Sequence, residues 1–253
     1  MATYNKKKMK YRFLMVLLVL GIVSFETESY RYYDYFKLAL VWPNSYCLTK
    51  VEHCREQLPQ YFTLGGLRPE KTNGKEPQYC LPATGNYLSN DTIEKYRAEL
   101  LRYWPDLSTC DFEESKNMWI EQWRRHGSCS NVTLSPEEYI TCALNRREDH
   151  NLHRILTNAG IRANGNSYSP NKILEILATV TGALVDIVCE ADRFGNVYLV
   201  EIHQCINYNG QKFIDCNNMA KNCDDDPIFP RPLFPKRNQD CPKTPPRGRP
   251  KAP

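Results

Sequence analysis

The chain has 253 residues, 25% of them charged, with a formal net charge of +4 and eleven cysteines. Residues 1–29 hold five basic and two acidic side chains, and residues 231–253 hold seven Lys/Arg and one Asp, so the stretch 30–230 carries about −5. A body of that sign excludes a generic polyanion coat, because sequence-independent nucleic-acid binding rests on Lys and Arg neutralising phosphates. Any nucleic-acid chemistry must be local to a cleft.

At the N-terminus, Lys6, Lys7, Lys8, Lys10 and Arg12 precede an apolar run from Phe13 to Val23, the pattern of a signal peptide, with cleavage expected near Ser29. The run falls short of the roughly 20 apolar residues that a bilayer span needs, so a secreted chain without a membrane span is expected. In that compartment eleven cysteines read as a disulfide framework with one thiol left over. The sequons at Asn90 and Asn131 fit glycosylation there. No Cys-x-x-Cys pair or His cluster argues for a metal, and no cofactor is expected.

Residues 30–230 read as one domain. Tyr35 to Trp42 is rich in aromatic and branched residues and stops at Pro43, which predicts a strand. Cys47 and Cys54 follow closely enough for a local bridge. Gln60 to Leu64 predicts a short strand broken by Gly65-Gly66 and Pro69, and Thr72 to Pro82 predicts a polar loop carrying Cys80. Asn90 or Asp91 can cap a helix in which Ile93, Tyr96, Leu100, Leu101 and Trp104 recur at helical spacing, closed by Pro105.

From Met118 to Cys129 the spacing places Trp119, Gln122, Trp123 and His126 on one helical stripe, with Glu121 and Arg125 as an i, i+4 pair beside it and Gly127 ending the helix. Ser135-Pro136-Glu137-Glu138 combines an N-cap, a proline at the first helical position and a capping-box Glu. Further helices are predicted over Leu152 to Ala159 and from Ser169-Pro170. Beyond Gly182 strands are predicted at Leu184–Cys189, Val197–Cys205 and Lys212–Cys216, the last two joined by an Asn209-Gly210 turn. Cys205 and Cys216 can close that hairpin, and Cys189 with Cys223 a wider ring. Residues 231–253 are basic and Pro-rich and read as a disordered tail. Helices in the middle with strands at both ends indicate an α+β domain, a central antiparallel sheet packed with helices.

Two segments resemble the ribonuclease T2 family. Phe62-Thr63-Leu64-Gly65-Gly66-Leu67-Arg68-Pro69 is similar to that family's Phe-Thr-Ile-His-Gly-Leu-Trp-Pro, and Trp119 to Cys129 to its Trp-x-His-Glu-Trp-x-Lys-His-Gly-Thr-Cys. Leu40-Val41-Trp42-Pro43 with Cys47, Trp104-Pro105-Asp106-Leu107, and Leu199 to Cys205 support the match, in the manner of plant S-type and S-like ribonucleases. The resemblance implies attack of a ribose 2′-hydroxyl on the adjacent phosphate, which needs a base, an acid and donors for the phosphorane. It implies a catalytic set of His126, Glu121, Gln122 and Arg125, with Trp42 and Arg68 as substrate contacts. Yet the first-segment histidine is Gly65, and the helix His, Glu and Lys positions are Glu121, Gln122 and Arg125; only His126 is retained outright.

A catalytically impaired, monomeric protein with a role in RNA binding, recognition or storage is therefore expected, its partner being single-stranded RNA, a protein or a glycan. The alternative is an active endoribonuclease using His126 with Glu121 and Arg125. Trp119 and Trp123 read as core anchors; His53, His150, His153 and His203 match no motif and read as structural or exposed. Cys80 with Cys129 is the expected bridge at the helix end, and Cys110, Cys142 and Cys241 have no assigned partner.

Overall fold

The computed structural model describes residues 31–50, 54–82, 87–217, 222–223 and 225–231. The expected signal peptide, His53, Cys241 and all but the first residue of the expected tail lie outside them.

Strand β1 (Tyr35–Val41) alternates faces as a strand must. Phe36, Leu38 and Leu40 point into the main core with Trp42, and Tyr35 packs with Cys205 and Cys216 on the other side. Antiparallel partners β2 (Thr63–Glu70) and β4 (Val197–Asn207) flank it, and β3 (Asp186–Ala191) completes the order β2-β1-β4-β3, with the short β5 (Phe213–Ile214) also on β4. As the central strand, β4 is buried along most of its length.

The expected break at Gly65-Gly66 does not occur, and β2 runs through both glycines and Pro69. Ala39 pairs with Gly66 and Leu40 with Leu64, so Gly65 is the extra residue of a β-bulge. Pro69 is tolerated because β2 is an edge strand and needs no N–H on its free side.

Helix α1 (Pro43–Thr49) follows β1 directly. The helix expected to close at Pro105 is two, α2 (Asn90–Lys95) and α3 (Arg97–Tyr103). They break at Tyr96, whose hydroxyl donates to Glu137, and the cap is Ser89, its Oγ accepting from Thr92 N at 3.1 Å. Helix α4 (Phe112–Arg125) begins earlier than its aromatic stripe, capped by Asp111, and leads into a 3-10 turn at Gly127–Ser130. Helix α5 (Pro136–Asp149) carries the predicted capping box and packs on β1 and β2; its Tyr139 hydroxyl donates to Leu67 O at 2.6 Å. Helices α6 (Leu152–Asn158) and α7 (Pro170–Thr181) complete the helical layer, and Gly182 closes α7 at φ 74°. None of the described helices is long and apolar enough to cross a membrane.

Four bridges pin this α+β fold: Cys47–Cys54, Cys80–Cys129, Cys189–Cys223 and Cys205–Cys216. Cys110 is also disulfide-bonded, and Cys142 is a free thiol. Where a loose tail was expected to start, Phe229 is buried in the core and Arg231 Nε donates to Asn164 O at 2.6 Å.

Candidate functional site

Helix α4 is anchored by its indoles. Trp119 and Trp123 are buried, and Trp119 Nε1 donates to Trp104 O at 2.7 Å. Gly127 does not end the helix by a left-handed turn, since it is not among the positive-φ glycines. Its role is close approach: a Cβ there would lie 2.3 Å from Trp123 Cε3. Trp123 thus fixes the turn that holds His126 at the helix C-cap, its backbone N–H on Gln122 O at 3.0 Å.

His126 is buried at 6% exposure. Its Nδ1 lies 2.8 Å from Glu76 Oε1, close enough for an ion pair though off the axis of a straight hydrogen bond. Burial pushes the Glu76 carboxyl up, but His126, then Arg68 and Arg125, outweigh it and hold the group below the usual carboxylate range. Glu76 sits in the loop after β2, which is strapped to the end of α4. Tyr79 N donates to Arg125 O at 2.9 Å, Cys80 N to Ser128 Oγ at 3.0 Å, and Cys80 is bridged to Cys129. Tyr79, at φ 53°, is the one non-glycine residue with positive φ among the described residues.

The other expected site residues separate. Glu121 points away from His126: its Oε1 accepts from the Tyr79 hydroxyl at 2.8 Å, and its Oε2 lies 3.4 Å from Arg124 Nε, not on Arg125 as helical spacing suggested. Arg125 is exposed. Gln122 lines the cleft, its Oε1 buried without a hydrogen-bond partner. Trp42, expected at the substrate, is a core residue: it is fully buried against Phe62 and Phe229, and its Nε1 donates to Pro230 O. Arg68 does line the cleft. Asn90 is exposed and Asn131 half-buried in a turn.

The cleft has a volume of about 260 Å³ and is lined by Val41, Leu64, Gly65, Met118 and Leu107, with Arg68, Gln122 and Glu201 as polar groups. A Cβ on Gly65 would lie 2.6 Å from Val41 Cγ2, so the Val41 side chain occupies the space a larger residue would enter. Beside it the sheet register places a buried relay on one face. Glu201 pairs across the ladder with Val41 and Val188, and His203 with Ala39 and Asp186. His203 Nε2 lies 2.7 Å from Glu201 Oε2 and Nδ1 3.3 Å from Asp186 Oδ2, while Arg68 Nη1 is 3.6 Å from the same Glu201 oxygen. Burial works against the Glu201 charge, yet His203, Arg68 and Lys50 bring the carboxyl down to about 2. For His203, burial is outweighed by Asp186 and Glu201, which raise the imidazole.

His203 is therefore neither exposed nor merely structural. Sequence reasoning missed this pair although Glu201 and His203, two apart on a strand, share a face. Glu76, in a polar loop, carried no such signal. Among the described residues no group of three or more His, Cys, Asp or Glu side chains could hold a metal ion.

The ribonuclease T2 family profile matches residues 33–216. Ribonuclease S-2 of Antirrhinum hispanicum is 29% identical over 242 residues, 95% of this chain and 100% of that protein. Ribonuclease 3 of Arabidopsis thaliana is 30% identical over 223 residues, covering 87% and 97% of the two chains. Among solved structures, RNase NT in complex with 5′-AMP superposes with a TM-score of 0.69 at 28% identity, over 80% of this chain and 99% of its own. With the sheet, the helix and the bridges in place around the same two segments, the chain belongs to the ribonuclease T2 family, among plant S-type and S-like relatives.

Proposed function

We propose that this protein is a secreted ribonuclease T2-like protein with impaired catalysis, whose cleft is kept for binding single-stranded RNA or a nucleotide. The observation that carries the reading is His126, buried and held against Glu76, with Gly65 at the position from which a second histidine would exchange a proton. Transesterification needs both a base and an acid, and losing one member of such a pair costs about 10²- to 10⁴-fold in rate. An internal carboxylate beside His126, Arg68 and Arg125 also competes with a phosphate for those cations. RNase NT, similar in fold, is described in complex with 5′-AMP, which supports a nucleotide as ligand. Secretion, glycosylation at Asn90 and Asn131, and a monomeric state belong to the same proposal.

The alternative, cleavage by His126 with Glu121 and Arg125, is weakened because Glu121 is engaged by Tyr79 and Arg124. The test incubates the purified mature protein with single-stranded RNA from acid to neutral pH, beside His126→Ala. Binding without cleavage in both is expected. Cleavage that disappears in the variant would overturn the reading.

A further inference from the structure

The Asp186–His203–Glu201 relay answers to no part of the proposed chemistry at His126, and it ends in the cleft. Glu201 is nine-tenths buried, a costly place for a carboxylate unless it is paired. Its Oε2 meets that demand through His203 and, more distantly, Arg68. Its Oε1 takes no hydrogen bond among the described residues, and the residue lines the cleft. Gln122 Oε1, lining the same cleft, is buried and also without a partner. Around these acceptors the walls are apolar, from Val41, Leu64, Leu107 and Met118. The volume, about 260 Å³, is at the small end for ligand pockets and suits one flat heterocycle better than a length of chain.

Two unpartnered acceptors and one guanidinium donor set a hydrogen-bond pattern for the occupant. Guanine alone among the four RNA bases presents two N–H donors and a carbonyl on a single edge, N1–H and N2–H₂ beside O6. Adenine and cytosine offer one amine on that edge, and uracil one N–H between two carbonyls. We propose that Glu201 reads the base of a bound nucleotide, its Oε1 accepting from the N–H edge of guanine, with His203 and Asp186 as positioning residues. Arg68 then meets O6, and Gln122 Oε1 accepts the second donor. The relay keeps the reading oxygen in place: His203 holds Glu201 from behind, and Asp186 holds the far nitrogen of the imidazole. The bulges of β2 at Gly65 and of the β3–β4 ladder beside Glu201 aim these strands at the cleft.

The proposal rests on the nucleotide-binding reading, and the experiment separates the two. Calorimetric titration of the mature protein at fixed salt compares 5′-GMP with 5′-AMP, 5′-UMP and 1-methyl-GMP, the last lacking the N1–H. GMP is expected to bind about tenfold tighter than the others, the discrimination of one good base contact. In Glu201→Gln the ratio should fall toward one while AMP affinity is retained. His203→Gln should lower the ratio in the same direction, again without loss of AMP binding, which a merely structural role would not produce. Equal affinity of the unmodified protein for GMP and 1-methyl-GMP overturns the assignment without any variant. So does a GMP preference that survives Glu201→Gln. Absence of binding by every nucleotide overturns the nucleotide reading, and this proposal with it.

Discussion

The charged relay under the cleft predicts a distinctive dependence of stability on pH, and His203→Gln is the perturbation that exposes it. Glu201 is held below its ordinary value of 4.5, at about 2. A carboxylate so held stabilises the fold above its ordinary value and loses that contribution as pH falls through its folded value. The opposite holds for His203, which is raised above 6.5: its contribution is full below 6.5 and is lost as pH rises through the folded value. Both contributions are present together only between 4.5 and 6.5.

The displacement of Glu201 corresponds to at most about 3 kcal/mol, at roughly 1.4 kcal/mol per unit. His203 is the leading counter-charge but shares the work with Arg68 and Lys50, and the energy of the Glu201–His203 contact is counted once. The variant's pH-dependent deficit is then about 1–2 kcal/mol, or roughly 2–8 °C in Tm for a domain of this size. Thermal unfolding of both proteins from pH 2 to 9 measures it. The gap in Tm should be widest between 4.5 and 6.5 and narrow on either side. Lost hydrogen bonds alone would give a gap that does not vary with pH, and that result would refute the reasoning.

Glu76→Gln removes the internal anion beside His126 and should tighten 5′-AMP binding about fivefold, on the order of 1 kcal/mol, as read by titration. Gly65→His by itself should not restore RNA cleavage and should cost about 1–3 kcal/mol of stability through overpacking against Val41. Paired with Val41→Ala, it should recover most of that loss in a denaturant melt. Gly127→Ala drives a methyl into the Trp123 ring and should lower stability by about 1–3 kcal/mol, with His126 displaced in consequence.

Much of the scaffold was legible because its signals are local. The alternation of β1, the Ser135 capping box, the Gly210 turn and the flanking cysteines each lie within a few residues of what they determine. Where reading failed, a distant partner decided. Gly65-Gly66 looked like a break and is a bulge, because β1 supplies the ladder on one side and the edge position frees Pro69 on the other. Trp42 matched a motif near the site, yet the returning segment at Phe229 and Pro230 seals it into the core.

By itself the sequence determined the family, the bridges that flank its turns, and the loss of a histidine at Gly65, since each is written in residue identity and short spacing. Only the tertiary structure decided which ions meet. Glu76 reaches His126 from a loop 50 residues upstream in the chain. The sheet register brings Asp186, His203 and Glu201 onto one face beside Arg68. Charges act through space over a few ångströms, and the sequence separation of two side chains says nothing of that distance until the strands have paired.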